Sequence, residues 1–233
     1  MKFTKEEARR IVINCAKQYE KKLLNKKILI IYRDRHDNKI CYIEVVFLKR
    51  NYQHLTGLEL INKDGKVLEK QSVNFYRKCY NNKLSLNEFV FKEDGTTHLK
   101  LAALPTLMNI TKITKIIGEY NNVRPYLYVD NVIGNVNFCL GLSKEDNLYF
   151  PSSALLENIN NLTDAPSQVL AIFEKNCNDN NMYQKIKHVA KGLNLNKLNL
   201  PDNIKNIISL NEYVYKENEK FSSVVSGNDG SKM

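Results

Sequence analysis

The stretch YLYVDNVIGNVNFCLGLSKEDNLYF, Tyr126 to Phe150, decides the fold. It carries three short runs rich in β-branched and aromatic residues, Tyr126 to Val129, Val136 to Leu142 and Leu148 to Phe150. Such side chains suit a pleated, half-buried surface, and the Asn, Gly, Asp and Ser between the runs suit turns. A fourth run, Gln168 to Phe173, follows after another turn-rich segment. Four short strands in succession predict a four-stranded antiparallel meander packed against the helices that precede it, an α+β layer arrangement.

Upstream, Ala8, Ile11, Val12, Cys15, Ala16, Tyr19 and Leu23 recur at the three-and-four spacing of one apolar helix face. Thr4 and Glu7 have the spacing of a capping box at its start. Two strands follow, Ile28 to Arg33 and Lys39 to Leu48, joined by the polar hairpin loop that holds His36. The segment Tyr52-Gln53-His54-Leu55-Thr56-Gly57 then hangs a histidine, a hydroxyl and a turn glycine directly off the second strand, a rigid platform for side chains that must be held accurately. Val73 to Tyr80 reads as a short helix, Ser85 with Glu88 as a second capping box, and Thr96 or Thr97 as the cap of a helix through Leu104 that Pro105 bends or ends. Downstream, Met182 to Lys191 reads as a helix whose apolar stripe is Tyr183, Ile186 and Ala190, with Lys185, Lys187, His188 and Lys191 solvated around it. From residue 193 to 233 the composition predicts an accessory segment and a disordered tail.

The chain has 233 residues and 43% hydrophobic content, enough for a proper core in one domain with extensions or at most two. Its longest apolar runs fall far short of the roughly 20 residues that span a bilayer, and no signal-peptide pattern opens it, so no membrane partner is expected. Five scattered cysteines show no metal or redox spacing, which fits a reduced cytoplasmic compartment and neither metal nor cofactor. Thirty-five Lys plus Arg against 25 Asp plus Glu give a formal charge of +10, favouring contact with a polyanion such as RNA or DNA. Walker, dinucleotide, metalloprotease and serine-hydrolase motifs are missing from the sequence.

His54 is the candidate general acid or base, because an unperturbed imidazole titrates near neutral pH. RNA cleavage without metal needs a group to take the 2′-hydroxyl proton, a group to protonate the leaving oxygen, and donors or a cation for the charged phosphate. Thr56 can donate to a phosphate oxygen, Gly57 lets backbone approach it closely, and Lys100 supplies positive charge near a helix start. His98 and His188 sit on predicted helices with no supporting motif, and the 13 tyrosines suit either half-buried strands or stacking on unpaired bases.

Six blocks in fixed order, YQHLTGL (52 to 58), FYRKCYNNKLS (75 to 85), DGTTHLKLAALPTLM (94 to 108), IIGEYN (116 to 121), VDNVIGNVNFCLGL (129 to 142) and LYFPSSALL (148 to 156), resemble the fourth family of phage-associated Barnase-EndoU-colicin-RelE-like nucleases. The similarity spans roughly residues 39 to 191. The resemblance implies a metal-independent RNase fold over residues 1–192, with N-terminal helices and a four-stranded antiparallel sheet that presents the site. It implies site roles for His54 and Thr56, with Lys100 as cation and Asn135 and Tyr149 as sheet-borne polar contributors. It also allows a phage or mobile-element role as a toxin, for which an inhibitor or antitoxin protein would be a partner beside RNA.

The expectation is therefore an endoribonuclease that attacks through the RNA 2′-oxygen with His54 as acid or base. The alternatives are a non-catalytic RNA- or DNA-binding protein that uses the same basic surface, and a phage-encoded protein-interaction module.

Overall fold

The reciprocal cap predicted for the first helix forms. The Glu7 amide donates to Thr4 Oγ1 at 3.2 Å and the Thr4 amide to Glu7 Oε2 at 2.8 Å, which starts α1 (Lys5–Lys22). The computed structural model describes residues 2–123, 127–211 and 213. The hairpin follows as β1 (Lys26–Arg33) and β2 (Ile40–Phe47), in register from Lys26 opposite Phe47 to Arg33 opposite Ile40. Then come α2 (Lys49–His54), a two-stranded ribbon of β3 (Leu58–Leu60) and β4 (Phe89–Phe91) with α3 (Ser72–Tyr80) between its strands, α4 (Thr97–Leu107) and α5 (Ile110–Ile113). The remaining strands are β5 (Ile116–Glu119), β6 (Asn131–Asn135), β7 (Phe138–Glu145), β8 (Leu148–Leu155), β9 (Ser167–Asn176) and β10 (Lys185–Val189), and the short α6 (Asp202–Lys205) comes last.

The expected helices on a four-stranded antiparallel sheet are not what these strands build. β1 pairs with β9 as well as with β2, and the ring β1-β2-β8-β7-β6-β5-β9 closes into a seven-stranded mixed barrel. Its junctions are antiparallel except β2 with β8, which run parallel with Val45 opposite Tyr149. The outer edge of β9 is shared: β5 pairs with its first residues at Ser167 and Gln168, and β10 takes over from Ala171 to Glu174. A closed ring leaves no long unpaired edge, a solution that no single strand's composition announces.

Inward side chains from all seven strands join one apolar cluster, among them Ile28, Val45, Ile117, Ile133, Leu140, Ala154 and Ile172. The same cluster runs on into α1 to α4 through Val12, Tyr52, Tyr76 and Leu104. The opposite faces of β1 and β9 bury Leu29, Ile31 and Phe173 under Tyr183, Leu195, Leu200, Ile204 and Ile208. Residues from 193 to 208 thus pack against the barrel wall, tied by the Tyr183 amide to Ile207 O at 2.7 Å and the Ser209 amide to Tyr183 O at 2.8 Å. The polar terminus predicted to be a disordered tail, residues 221–233, lies outside the described residues.

Two local readings also change. Residues 182–191 contain strand β10 rather than a helix, and a register shift between Ile186 and His188 interrupts the two-residue alternation that would have marked it. The run from Tyr126 to Val129 gives no strand at residues 127–129, and Tyr126 lies outside the described residues. The barrel strand forms instead over Asn131–Asn135, where Val132 and Ile133 are buried between turn-forming asparagines.

The helices are fixed to one another by an aromatic knot. Tyr19, Tyr52 and Tyr76 meet at ring distances of 5.0 to 6.0 Å. The Tyr19 hydroxyl donates to Leu48 O at 3.0 Å, and the Tyr52 hydroxyl donates to Val12 O. Tyr52 belongs to α2, so this knot sets the helix that carries His54. Tyr52→Phe is expected to lower stability by about 1 kcal/mol, the net worth of one such hydrogen bond, read as a lower urea midpoint at unchanged slope.

Candidate active site

His54 does not hang directly off β2 as the sequence predicts. The strand ends at Phe47, and α2 intervenes, its start held by the Leu48 amide donating to Asn51 Oδ1 at 2.9 Å. One turn of helix buries Tyr52 and leaves His54 solvent-accessible at the last helical position. The chain then reverses. Thr56 is fully buried, its hydroxyl donating to Gln53 O at 2.8 Å and accepting from the Leu58 amide at 3.1 Å. That hydroxyl proton is already committed, so Thr56 builds the turn from inside rather than facing a phosphate.

Gly57 follows with φ of +69°, a left-handed conformation that glycine adopts without steric cost. Its carbonyl accepts from Thr97 Oγ1 at 2.6 Å and from the Lys92 amide at 3.0 Å, and the same Lys92 amide also points to Thr97 Oγ1 at 3.0 Å. The blocks HLTG and DGTTHLK, far apart in sequence, are thereby tied into one knot. The β3–β4 ribbon pairs Leu58 with Phe91 and so brings the adjoining Lys92 to the Gly57 carbonyl.

Around the knot opens a cleft of about 270 Å³ whose walls include Gln53, His54, Glu59, Glu69, Lys92 and Lys100. Lys100, one turn into α4, donates from Nζ to His54 O at 3.0 Å. Lys92 pairs with Asp94 at 3.3 Å, and Asp94 also accepts from the Thr96 amide at 2.9 Å, fixing the approach to α4. Desolvation at the cleft, followed by the charges of Lys100 and Lys92, holds the His54 pKa below the usual 6.5. Lys100 is likewise lowered from 10.5, chiefly by burial and then by Lys92, while Asp94 opposes the shift. At neutral pH the site therefore presents a free imidazole as proton acceptor beside two ammonium groups, a combination that can take a proton and stabilise a developing anion.

The candidate residues separate accordingly. His54, Gly57 and Lys100 line the cleft and Thr56 lies beneath it, whereas Asn135 and Tyr149 are not among its lining residues. The Asn135 amide donates to Ile113 O at 3.1 Å and its carbonyl accepts from the Asn137 amide, which holds the β6–β7 turn. Tyr149 stands at the parallel β2–β8 junction with Lys144 Nζ 5.9 Å from its ring. His98 Nδ1 accepts from the Phe3 amide at 3.0 Å while its ring meets Phe3 and Phe91, so it ties down the chain start. His188, on β10, lies beside Lys115, and burial followed by that charge lowers it to about 4.

Lys92 and Glu59 are site residues that the sequence reading passed over. Lys92 ends the run Phe89-Val90-Phe91 just before the Asp94-Gly95 turn, and only the pairing of that run with Leu58–Leu60 brings it to His54. Among the described residues no group of three or more His, Cys, Asp or Glu side chains is placed to hold a metal ion, and no helix is long and apolar enough to cross a membrane.

Residues 11–182 match the family described as phage-Barnase-EndoU-ColicinE5/D-RelE like nuclease4. That span contains the whole His54 cleft and all seven barrel strands, β1, β2 and β5 to β9. No curated protein and no solved structure matches the chain.

Proposed function

This chain belongs to the phage-Barnase-EndoU-ColicinE5/D-RelE like nuclease4 family, and from that premise we propose that it is a metal-independent endoribonuclease acting at the His54 cleft. The observation that carries the reading is that His54, Lys92 and Lys100 line one cleft, with both lysine charges acting on the imidazole. His54 accepts the proton of the RNA 2′-hydroxyl as the 2′-oxygen attacks the adjacent phosphorus. Lys92 and Lys100 stabilise the charge that builds on the phosphoryl oxygens, as oriented cations in a partly desolvated site do. The bond from phosphorus to the 5′-oxygen breaks, leaving a 2′,3′-cyclic phosphate and a 5′-hydroxyl. Lys100, with its pKa drawn below 10.5, is the group we assign to return a proton to that leaving oxygen. Thr56 and Gly57 shape the turn that presents His54, and the setting is a phage or mobile element where such an activity serves as a toxin.

The test is incubation of the purified protein with end-labelled single-stranded and structured RNA in chelator, scored for cyclic-phosphate ends. Cleavage supports the proposal; intact RNA with salt-sensitive binding replaces it with a non-catalytic RNA-binding role.

The pH profile gives a second check. His54 must be neutral to accept a proton, so kcat/KM is expected to fall as pH drops through the His54 pKa, with a midpoint below 6.5. Lys100 must be charged, so activity is expected to fall again as pH rises through a pKa below 10.5. An acid limb centred above 7 removes His54 as the base.

A further inference from the structure

A second cleft, of about 260 Å³, is walled by Lys21, Lys22, Lys26, Lys112, Lys185 and Lys187, with Glu174 as its only carboxylate. The lysines come from four places in the chain: the end of α1, the start of β1, α5 and β10. Glu174 is 4% exposed on β9 and is reached by Lys185 at 2.9 Å and Lys187 at 3.4 Å, so it pins two ammonium groups against the barrel. Among the described residues no carboxylate pairs with Lys21, Lys22, Lys26 or Lys112. Lys22 donates instead to Asn109 Oδ1 at 3.1 Å, and Lys26 to Asn176 Oδ1. Neutral amides thus orient these heads without cancelling their charge.

The position of this cleft follows from the helices. The Phe3 amide reaches His98 at the start of α4, and Lys22 reaches Asn109 just past its end, so α1 and α4 run side by side in the same direction. The His54 cleft lies at the start of that pair and the lysine cleft at its finish, roughly 15 Å along the axis from Lys100 at the helical rise. An unbalanced group of cations at that range suits a strand of nucleic acid that also occupies the catalytic cleft. The apolar side chains lining it, Leu23 and Met108, are both buried, which offers little to the apolar centre of a protein interface.

We propose that the lysine cleft is a phosphate-backbone anchor for RNA, separate from the His54 cleft and serving to hold long substrates. This rests on the RNA reading above, but its test does not need cleavage. Binding of a labelled 20-nucleotide single-stranded RNA is followed by fluorescence anisotropy across a salt series, all proteins carrying His54→Ala so that the probe stays intact. The comparison is between that parent, the same chain with K21Q and K112Q, and a control with K83Q and K197Q; all four lysines are exposed and none forms an ion pair. Loss of two phosphate contacts should shorten the slope of log K against log salt by about 1.4, at roughly 0.7 per contact for single strands, with the control unchanged. In the wild-type background the cleft variant should lose cleavage of long RNA and keep cleavage of a dinucleotide. An unchanged slope overturns the proposal, as does an equal loss in the control, which would reduce the effect to net charge. Lost binding to anionic-lipid vesicles with RNA binding intact would also overturn it, assigning the cleft to a membrane surface. Failure of the nuclease reading shows separately, as an uncut dinucleotide in the wild type.

Discussion

Replacing His54 with alanine is expected to slow RNA cleavage by about 100-fold or more, the scale of a lost general acid–base group. His54 ends α2 with its side chain toward solvent, while α2 is held by the buried Tyr52 and by backbone bonds that the substitution leaves in place. Lys100 contacts the His54 carbonyl rather than its ring, so the cation also stays. The circular dichroism spectrum and thermal midpoint of H54A should therefore match wild type. Its residual rate should lose the acid limb of the pH profile, since the titrating base is gone. A variant that cuts RNA at the wild-type rate would take His54 out of the mechanism, whatever the cleft looks like.

Gly57→Ala is expected to cost about 2–5 kcal/mol, combining the strain of a left-handed backbone with overpacking. Gly57 has φ of +69°, and a Cβ there would meet Thr97 Cα at 2.8 Å, a backbone atom that no rotamer change can remove. To relieve the contact, α4 must draw away from α2. That loosens the Thr97 bond to the Gly57 carbonyl and carries Lys100 off His54. The folded fraction of G57A should thus lose activity as well as stability, measured as cleavage per folded molecule beside a urea titration. A stable G57A with full activity would mean that the two sequence blocks are not mechanically joined.

What was legible in the sequence had local causes. Helix α1 and the β1–β2 hairpin follow from capping chemistry and short-range periodicity, and both form where their residues predict. The barrel follows from pairs that no window contains: Arg33 with Gln168, and Val45 with Tyr149. β5 offers only Ile116 to Glu119 as a signal, too short to stand out, and β10 is disguised by its register shift and by apolar residues that chance to fall at helical spacing. In the candidate site, the residue types at His54 and Lys100 suggested their chemistry, and the two line one cleft, with Lys100 bonded to the His54 backbone carbonyl. Thr56 misled because an exposed and a buried hydroxyl look alike in sequence, and Lys92 was hidden because only the ribbon brings it near.

The strand that shuts the barrel is also among the last to be made. His54, Lys92 and Lys100 leave the ribosome early, but the cluster on which their helices rest takes Val169 and Ile172 from β9. At about 5–20 residues per second, on the order of ten seconds separate β1 from the partner that completes its pairing. For that interval the residues of the candidate site exist without their finished support. For the ribonuclease proposed above, that order means a cutting site synthesised before the strand that completes its support.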